Sequence, residues 1–244
     1  MTPNNYVQQT RAAQGELVNT FMRGVYGWMC AGLALTAGIA FLLTQNQALL
    51  SLFFTVDPAT GNVAGLSVPY IAMIVAELGI VFYLSARVAK MAPGTATGLF
   101  LLYAGLNGIT ITPILLVYTG ASVAQTFLIC AGMFGSMSVY GLVTKKDLTS
   151  WGSFLFMGLI GLVLAMVVNM FLQSSAMSFV ISGIGVILFL GLTAYDTQSL
   201  KTMGETMPND AAAVRRGSIM GALRLYLDFI NLFLMLLQFF GQRE

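Results

Sequence analysis

The sequence contains no histidine, only two cysteines and few charged residues, and each shortage excludes a class of chemistry. Without histidine there is no Ser-His catalysis, no His-ligated haem and none of the usual His-rich zinc sites. Cys30 and Cys130 stand alone in apolar stretches without C-x-x-C spacing, so we expect both to be buried, reduced packing residues. No Gly-rich phosphate loop follows a strand pattern. These absences predict that the chain is not an enzyme for soluble substrates and that it holds no cofactor.

The low charge content indicates an integral membrane protein. Charged residues make up 8% and hydrophobic residues 57% of the chain, whereas a soluble domain carries about 25% charged residues. A water-soluble core could not bury so much apolar surface while exposing so few charges. The polar segment Met1–Met22 has no apolar core, so we expect no cleavable signal peptide there.

Seven apolar stretches have the length of membrane-spanning helices. A helix needs about 20 residues to cross about 30 Å of hydrocarbon. The stretches are Gly24–Thr44, Pro69–Val88, Thr97–Tyr118, Ser122–Val143, Trp151–Leu172, Ser178–Tyr195 and Ile219–Phe240. The sequence therefore predicts an all-α integral membrane protein with seven transmembrane helices.

The basic residues predict how these helices are oriented. If the seven stretches alternate in direction, ten of the 11 Lys and Arg residues fall on or toward one face, and only Arg243 lies on the other. Those ten are Arg11, Arg23, Arg87, Lys90, Lys145, Lys146, Lys201, Arg215, Arg216 and Arg224. Because Lys and Arg stay on the cytoplasmic side during insertion, we expect the N-terminus inside and the C-terminus outside the cell (inner) membrane. This pattern reflects topology in a lipid bilayer, so it indicates no nucleic-acid partner.

The connections predict a single helical bundle. We expect residues 1–23 to form a cytoplasmic tail and residues 24–244 to form one membrane domain. The long external connection Asn46–Val68 carries turn residues at Asp57-Pro58 and Gly61-Asn62. The last inner connection, Gln198–Ser218, is polar, and we expect it to be a loop.

Few ionisable residues remain inside the predicted spans, and these are the candidate functional residues. A charge at the bilayer centre costs roughly 2.5–3.5 kcal/mol on insertion scales, so such residues usually face the bundle interior and pair. Glu77 lies near the middle of the second span, Asp196 closes the sixth and Asp228 lies in the seventh. Arg87 and Arg224 lie toward the inner ends of their helices.

On the seventh helix, helical spacing gathers the polar residues into one stripe. The stripe consists of Arg224, Asp228, Asn231, Met235 and Gln238, while the other positions are large, apolar and suited to lipid. One interpretation is an Arg224–Asp228 pair that neutralises two charges four residues apart. The other is that Asp228 faces Asp196 on the neighbouring helix, where both form a functional carboxylate site.

Two neighbouring carboxylates would suit a pH sensor. In a poorly hydrated bundle they cannot both ionise easily, so they would share a proton. Loss of that proton would add repulsion, and an arginine could then bind the freed carboxylate. Arg87 is the first candidate for this latch and Arg224 the second. Carboxylate oxygens also suit a hard cation, so Asp196 and Asp228 are candidates for transient Ca²⁺ contact.

The third helix carries polar residues at mid-membrane depth. They are Asn107, Thr110 and Thr112, followed by Pro113. Proline frees a backbone carbonyl one turn back, near Ile109, and is expected to kink the helix. Such a kink beside polar side chains either lines a cavity or is purely structural, and the sequence leaves both open.

Several motifs resemble those of the Bax inhibitor-1 (transmembrane BAX inhibitor motif) family. The segments Gly191-Leu-Thr-Ala-Tyr-Asp196-Thr-Gln-Ser-Leu-Lys201 and Leu225-Tyr-Leu-Asp228-Phe-Ile-Asn231-Leu-Phe are similar to its sixth- and seventh-helix motifs. The hairpin Gly105–Gly141, with its Asn-Gly-Ile-Thr-Ile-Thr-Pro run, is similar to the family signature, and Val25-Tyr-Gly-Trp-Met resembles the bacterial branch. The resemblance covers nearly the whole chain.

The resemblance implies a seven-helix bundle whose last helix is central, surrounded by the other six. It also implies a pH-sensitive calcium leak controlled by an aspartate pair, which corresponds to Asp196 and Asp228 here. An arginine of the second helix is implied as a latch, and Arg87 fits that position. Glu77 is a further candidate for a gating role. One departure is that Thr112 precedes Pro113, where the family often has Gly-Pro.

Two rival functions belong to different classes. One is an interaction protein that modulates a membrane protease or a stress or cell-death pathway through Met1–Met22 or Gln198–Ser218, a role that the family resemblance also implies. The other is an intramembrane aspartyl protease that uses Asp196 and Asp228. Those proteases carry Gly-x-Gly-Asp at the second acid, whereas Leu-Tyr-Leu precedes Asp228 here, which disfavours proteolysis.

Overall fold

The computed structural model describes residues 3–56 and 63–242 of the chain, and most of them are helical. Some side chains within these ranges are not described. The elements, in chain order, are α1 (Pro3–Gln45), α2 (Gln47–Phe53), β1 (Phe54–Val56), β2 (Val63–Leu66), α3 (Val68–Arg87), a short 3-10 helix (Val88–Lys90), α4 (Pro93–Leu115), α5 (Gly120–Val143), α6 (Trp151–Leu172), α7 (Ser175–Thr206) and α8 (Ala211–Phe240).

Seven helices in the described part of the chain are long and apolar enough to cross a membrane. They are α1 and each helix from α3 to α8. The predicted all-α membrane protein with seven spans is therefore confirmed. The predicted stretch Trp151–Leu172 has the same bounds as α6, since its apolar run stops at polar residues on both sides.

The spans differ greatly in burial. Within the most apolar 18 residues of each helix, 72% of the residues are buried in α8 and 11% in α6. The surface of α6 is rich in exposed apolar side chains, as expected for a helix that faces lipid. The central position of the last helix stays a prediction, and the high burial of α8 is what that prediction requires.

The expected loop at Gln198–Ser218 is wrong for most of its length, because the two flanking helices continue into it. α7 extends to Thr206 and α8 begins at Ala211, which leaves a connection of a few residues. The predicted N-terminal tail is also helical from Pro3 onward and continues into the first span without a break. Polar residues beyond the apolar stretches therefore lengthen these helices.

Asp210 explains why α8 begins where it does. Its carboxylate accepts hydrogen bonds from the main-chain N–H groups of Ala212 and Ala213, with N–O distances of 3.3 and 2.9 Å. An acidic cap satisfies N–H groups that have no partner within the helix. Arg216 lies one turn into the helix, with its Nη2 atom 3.9 Å from Asp210 Oδ2.

The long connection between the first two spans contains secondary structure that the sequence analysis missed. Asn46 caps α2, because its Oδ1 accepts hydrogen bonds from the N–H groups of Ala48 and Leu49 at 3.1 and 3.2 Å. β1 then pairs with β2 in an antiparallel hairpin. The predicted turn residues Asp57-Pro58 and Gly61-Asn62 lie outside the described residues.

A small apolar cluster packs this connection against the membrane helices. It contains Leu43, Leu50, Phe54 and Tyr70. The Phe54 and Tyr70 rings are tilted, with their centroids 5.1 Å apart, which is a favourable aromatic geometry. The cluster therefore anchors the start of α3.

The chain divides into two compact units. One, here called the α5–α7 unit, comprises the described residues of Met1–Val18, Tyr118–Thr206 and Arg224–Glu244. The other, here called the α3–α4 unit, comprises those of Asn19–Val117 and Met207–Leu223. The single membrane domain at residues 24–244, following a tail at 1–23, stays a prediction.

Candidate functional site

The two membrane aspartates of the α5–α7 unit lie together. The carboxyl groups of Asp196 on α7 and Asp228 on α8 are neighbours, and each acts on the charge of the other. Asp228 is only 6% exposed, and its Oδ2 atom is buried with no hydrogen-bond partner among the described residues. Asp196 is half-buried. Because an ionised carboxylate can only accept hydrogen bonds, a bond between two carboxyl groups requires that one of them carries a proton.

Arg224 is the cation whose charge acts on both aspartates. Its side chain is nevertheless exposed. Among the described residues, no Arg or Lys nitrogen lies within 4.0 Å of either carboxylate. The interpretation of Asp228 as half of a simple Arg224–Asp228 ion pair is therefore not borne out. Asp196 is the carboxyl group whose charge acts on Asp228.

The rest of the α8 stripe does not form a continuous polar surface. Asn231 Nδ2 donates to the main-chain oxygen of Leu227 at 2.8 Å, within the same helix. Met235 is buried against Gly185, and Gln238 is exposed. Of the remaining apolar positions, which the sequence made suited to lipid, most are buried by protein, whereas Phe240 at the end of α8 is 59% exposed. Those that are 0% exposed include Leu225, Leu232, Leu236 and Leu237.

The two cysteines differ in environment. Cys130 is buried as predicted, and its Sγ atom lies 3.7 Å from the main-chain oxygen of Phe229 on α8. The Phe229 ring is flanked by Phe127 and Phe134 of α5 in edge-on contacts, with centroid distances of 5.5 and 5.4 Å. Cys30 is exposed, so its predicted burial is wrong. It lies on α1, and only 28% of the most apolar 18 residues of that helix are buried.

The third membrane carboxylate, Glu77, lies in the α3–α4 unit. It is 9% exposed, and Thr110 Oγ1 donates a hydrogen bond to Glu77 Oε1 at 2.9 Å. Tyr70 Oη donates to the main-chain oxygen of Thr110 at 2.8 Å. The charge of Glu77 acts on the hydroxyl group of Tyr103, which also interacts with Asn107. Glu77 is thus held among polar groups of α3 and α4.

Close packing accounts for the other polar residues near Pro113. Thr112 Oγ1 donates to the main-chain oxygen of Gly108 at 2.7 Å, inside α4. A Cβ atom on Gly108 would lie 2.7 Å from the main-chain oxygen of Thr36 on α1, so the two backbones nearly touch. Thr36 Oγ1 donates to the main-chain oxygen of Ala104 at 2.8 Å. This evidence favours the structural interpretation for Thr112, whereas Thr110 contacts Glu77.

Arg87 is the last residue of α3, and its side chain is exposed. It forms no salt bridge with Glu77 or with any other carboxylate whose side chain the structure describes. Its role as a latch stays a prediction, as do the roles of the other candidate residues.

The donor set at the aspartate pair suits a passing cation better than a resident one. The described residues contain no group of three or more His, Cys, Asp and Glu side chains able to hold a metal ion. Ca²⁺ takes about 6–8 oxygen ligands, so an ion at the pair would draw most of them from water or backbone carbonyls. Transient contact of Ca²⁺ with Asp196 and Asp228 stays a prediction.

Comparison with known proteins identifies relatives along nearly the whole chain. The family described as "Inhibitor of apoptosis-promoting Bax1" matches residues 18–244. The chain is 50% identical over 228 residues to the inner membrane protein YbhL of Escherichia coli K12, covering 93% of each chain. An uncharacterized protein of Borreliella burgdorferi is 43% identical, again over 93% of each. An uncharacterized membrane protein of Streptococcus pyogenes is 35% identical over 99% of this chain and 100% of its own.

Proposed function

Since this chain belongs to the Bax inhibitor-1 family and is a multi-pass membrane protein, we propose that it is a pH-sensitive calcium leak channel gated by Asp196 and Asp228. The observation that carries the proposal is that these two carboxyl groups are neighbours on α7 and α8, together with the buried Oδ2 atom of Asp228, which has no hydrogen-bond partner among the described residues.

The gate works through the charge of the pair. With one shared proton the pair carries one negative charge, and the hydrogen bond holds α7 and α8 together at this level. Losing the proton places two like charges side by side in a region of low dielectric constant, where their repulsion is much stronger than in water. The balance between attraction and repulsion across α7 and α8 therefore depends on pH.

Arginines set how costly the doubly ionised state is. Arg224 acts on both carboxyl groups from one turn before Asp228 and lowers the cost of a second negative charge. Arg87 of α3 is the proposed latch, which would bind a freed carboxylate through its planar guanidinium group. Glu77 is the proposed second acidic position on the ion pathway, because a carboxylate kept inside a membrane helix normally faces protein or water.

The alternative function is that of an interaction protein. It is favoured by the polar N-terminal part of α1, where Gln14, Glu16, Asn19 and Thr20 are exposed. Gln14 Nε2 also donates to the main-chain oxygen of Glu205 near the end of α7. A partner bound to this segment, such as a membrane protease, would thus contact the helix that carries Asp196. The absence of a Gly-x-Gly-Asp motif at Asp228 still disfavours proteolysis by this chain itself.

The test is Ca²⁺ influx into liposomes that contain the purified full chain, compared with empty liposomes. We expect influx above the background of empty liposomes, and a chain lacking Met1–Met22 should retain it. No influx at any pH in the protein-containing liposomes would contradict the channel.

A further inference from the structure

α7 is held against α5 immediately on both sides of Asp196. A Cβ atom on Gly141 of α5 would lie only 2.5 Å from the main-chain oxygen of Ala194 and 3.0 Å from the Cβ atom of Thr197. The hydroxyl oxygens of Ser138 and Thr197 are 3.2 Å apart and form a hydrogen bond. The two helices are therefore in close contact within two residues of Asp196.

Gln198 ties α7 to residues 144–150, the connection between α5 and α6. Its Oε1 atom accepts a hydrogen bond from the N–H of Leu148 at 2.8 Å, and its Nε2 atom donates to the main-chain oxygen of Lys146 at 2.8 Å. One amide group thus satisfies a main-chain donor and a main-chain acceptor two residues apart. Such paired bonds restrain both the distance and the orientation of the connected segments.

Lys201 adds another attachment one turn further along α7. Its Nζ atom donates to the main-chain oxygen of Leu142 at 2.8 Å. Leu142 lies in the last turn of α5, where carbonyl groups lack partners within the helix and a positive charge is favourable. This bond joins the end of α5 directly to α7.

The attachments share one face of α7, and Asp196 lies on another. With 3.6 residues per turn, Ala194, Thr197, Gln198 and Lys201 cluster around one direction from the helix axis. Asp196 points about 150° away from the middle of that cluster. Holding the attached face against α5 and its connection therefore turns Asp196 outward from α5, to the side on which it meets Asp228.

We propose that Gln198, supported by Lys201, is a positioning residue for Asp196. By fixing the height and rotation of α7, it sets where the Asp196 carboxyl group lies relative to that of Asp228. The inference deepens the proposed aspartate gate and rests on it for its functional consequence. The geometric claim itself can be measured without ion flux.

Three substitutions in the full chain separate this role from simple loop anchoring. Gln198→Leu removes both bonds of the amide, and Gln198→Glu keeps the acceptor for Leu148 but loses the donor to Lys146. Thr202→Ala is the matched control one turn away, because among the described residues Thr202 Oγ1 bonds to nothing but the main-chain oxygen of Gln198 in its own helix. Gln198→Glu keeps the test decisive if Gln198→Leu does not fold.

Three readouts apply to each variant in lipid. Hydrogen exchange at the Leu148 amide reports the hydrogen bond from Leu148 to Gln198. We expect Gln198→Leu to speed this exchange about tenfold. The infrared C=O band of the protonated aspartate, identified by its loss in Asp228→Asn, reports the hydrogen bond of the pair, and its frequency should shift. The pH profile of Ca²⁺ flux should shift as well. Gln198→Glu should be intermediate in all three, and Thr202→Ala should match the unchanged protein.

Each result decides the inference. Faster exchange with an unchanged infrared band would mean that Gln198 only anchors the loop, which overturns its positioning role. Unchanged exchange in Gln198→Leu would show that Gln198 does not hold the connection at Leu148, which overturns the inference. If the unchanged protein passes no Ca²⁺, the proposed function fails, while the infrared band still decides whether Gln198 positions Asp196.

Discussion

Asp196 and Asp228 place two carboxyl groups side by side on neighbouring membrane helices. A hydrogen bond between two such groups needs a proton on one of them. Asp228 Oδ2 is buried and has no hydrogen-bond partner in the described part of the chain, so ionising the second carboxyl group there would be costly. In the proposed gate, this pair binds a proton, and its charge changes the attraction between two membrane helices.

Close backbone contact between α5 and α7 predicts a large effect of one added methyl group. We expect Gly141→Ala to destabilise the protein by about 1–3 kcal/mol, because its Cβ atom would collide with the main chain at Ala194. Thermal unfolding in detergent measures the change.

The matched control is Gly135→Ala in the same helix. A Cβ atom at Gly135 has no neighbour within 4 Å, so we expect no loss of stability there, and alanine is the better helix former. Equal losses at Gly141 and Gly135 would show that the close contact does not exist in solution.

The Thr110–Glu77 hydrogen bond predicts coupled stabilities. Thr110→Val leaves the buried Glu77 without its donor, so we expect a loss of about 1–2 kcal/mol. The same substitution in a Glu77→Leu background should cost clearly less, because the carboxylate that needed the donor is gone. A double-mutant cycle on unfolding measures this coupling.

Thr112→Val provides the comparison for that cycle. Thr112 bonds within its own helix to Gly108, so its cost should be the same with Glu77 or Leu at position 77. If Thr110 and Thr112 showed the same coupling to Glu77, the described hydrogen bond would not be its source.

The turn at residues 144–150 provides a pH prediction outside the membrane spans. Hydrogen bonds from the Thr149 hydroxyl and N–H groups hold the pKa of Asp147 below its usual value. A lowered pKa stabilises the turn above the unfolded value of about 3.9, and this contribution is lost as pH falls through the folded value. The turn should therefore stay intact from about pH 5 to about pH 8.

Nuclear magnetic resonance of the Asp147 carboxyl carbon measures this titration. A midpoint at or above the unfolded value would contradict the hydrogen bonds to Thr149. If the midpoint lies below the unfolded value, Asp147 does not change its charge near neutral pH. A pH dependence of flux in that range then has another source than the protonation of Asp147.

The spans were predictable because their apolar lengths match the membrane, but their polar extensions were not. The apolar stretch predicted for the sixth span ends at Tyr195, whereas α7 continues to Thr206. The continuation is stabilised by bonds from Gln198 and Lys201 to α5 and its connection. Such long-range partners leave no periodic signal in the sequence.

The pairing of Asp196 with Asp228 was one of two interpretations of helical spacing. The other, an Arg224–Asp228 ion pair, is disfavoured because no Arg or Lys nitrogen lies within 4.0 Å of either carboxylate among the described residues. The pairing of Glu77 with Thr110 was not predictable in the same way. Thr110 lies about two turns further from the α3–α4 connection than Glu77 does, so counting residues from that connection places the two side chains at different depths in the membrane. They meet because of helix tilt and side-chain length, and the effect of both depends on packing.

The most direct test of the aspartate gate is the pH profile of Ca²⁺ influx into proteoliposomes from about pH 5 to about pH 8. It compares the unchanged protein with Asp196→Asn, Asp228→Asn and the control Asp210→Asn, whose asparagine still caps α8. We predict that influx depends on pH in the unchanged protein and in Asp210→Asn, and that either substitution in the pair flattens the profile. A pH-dependent profile that survives both Asp196→Asn and Asp228→Asn would contradict the gate.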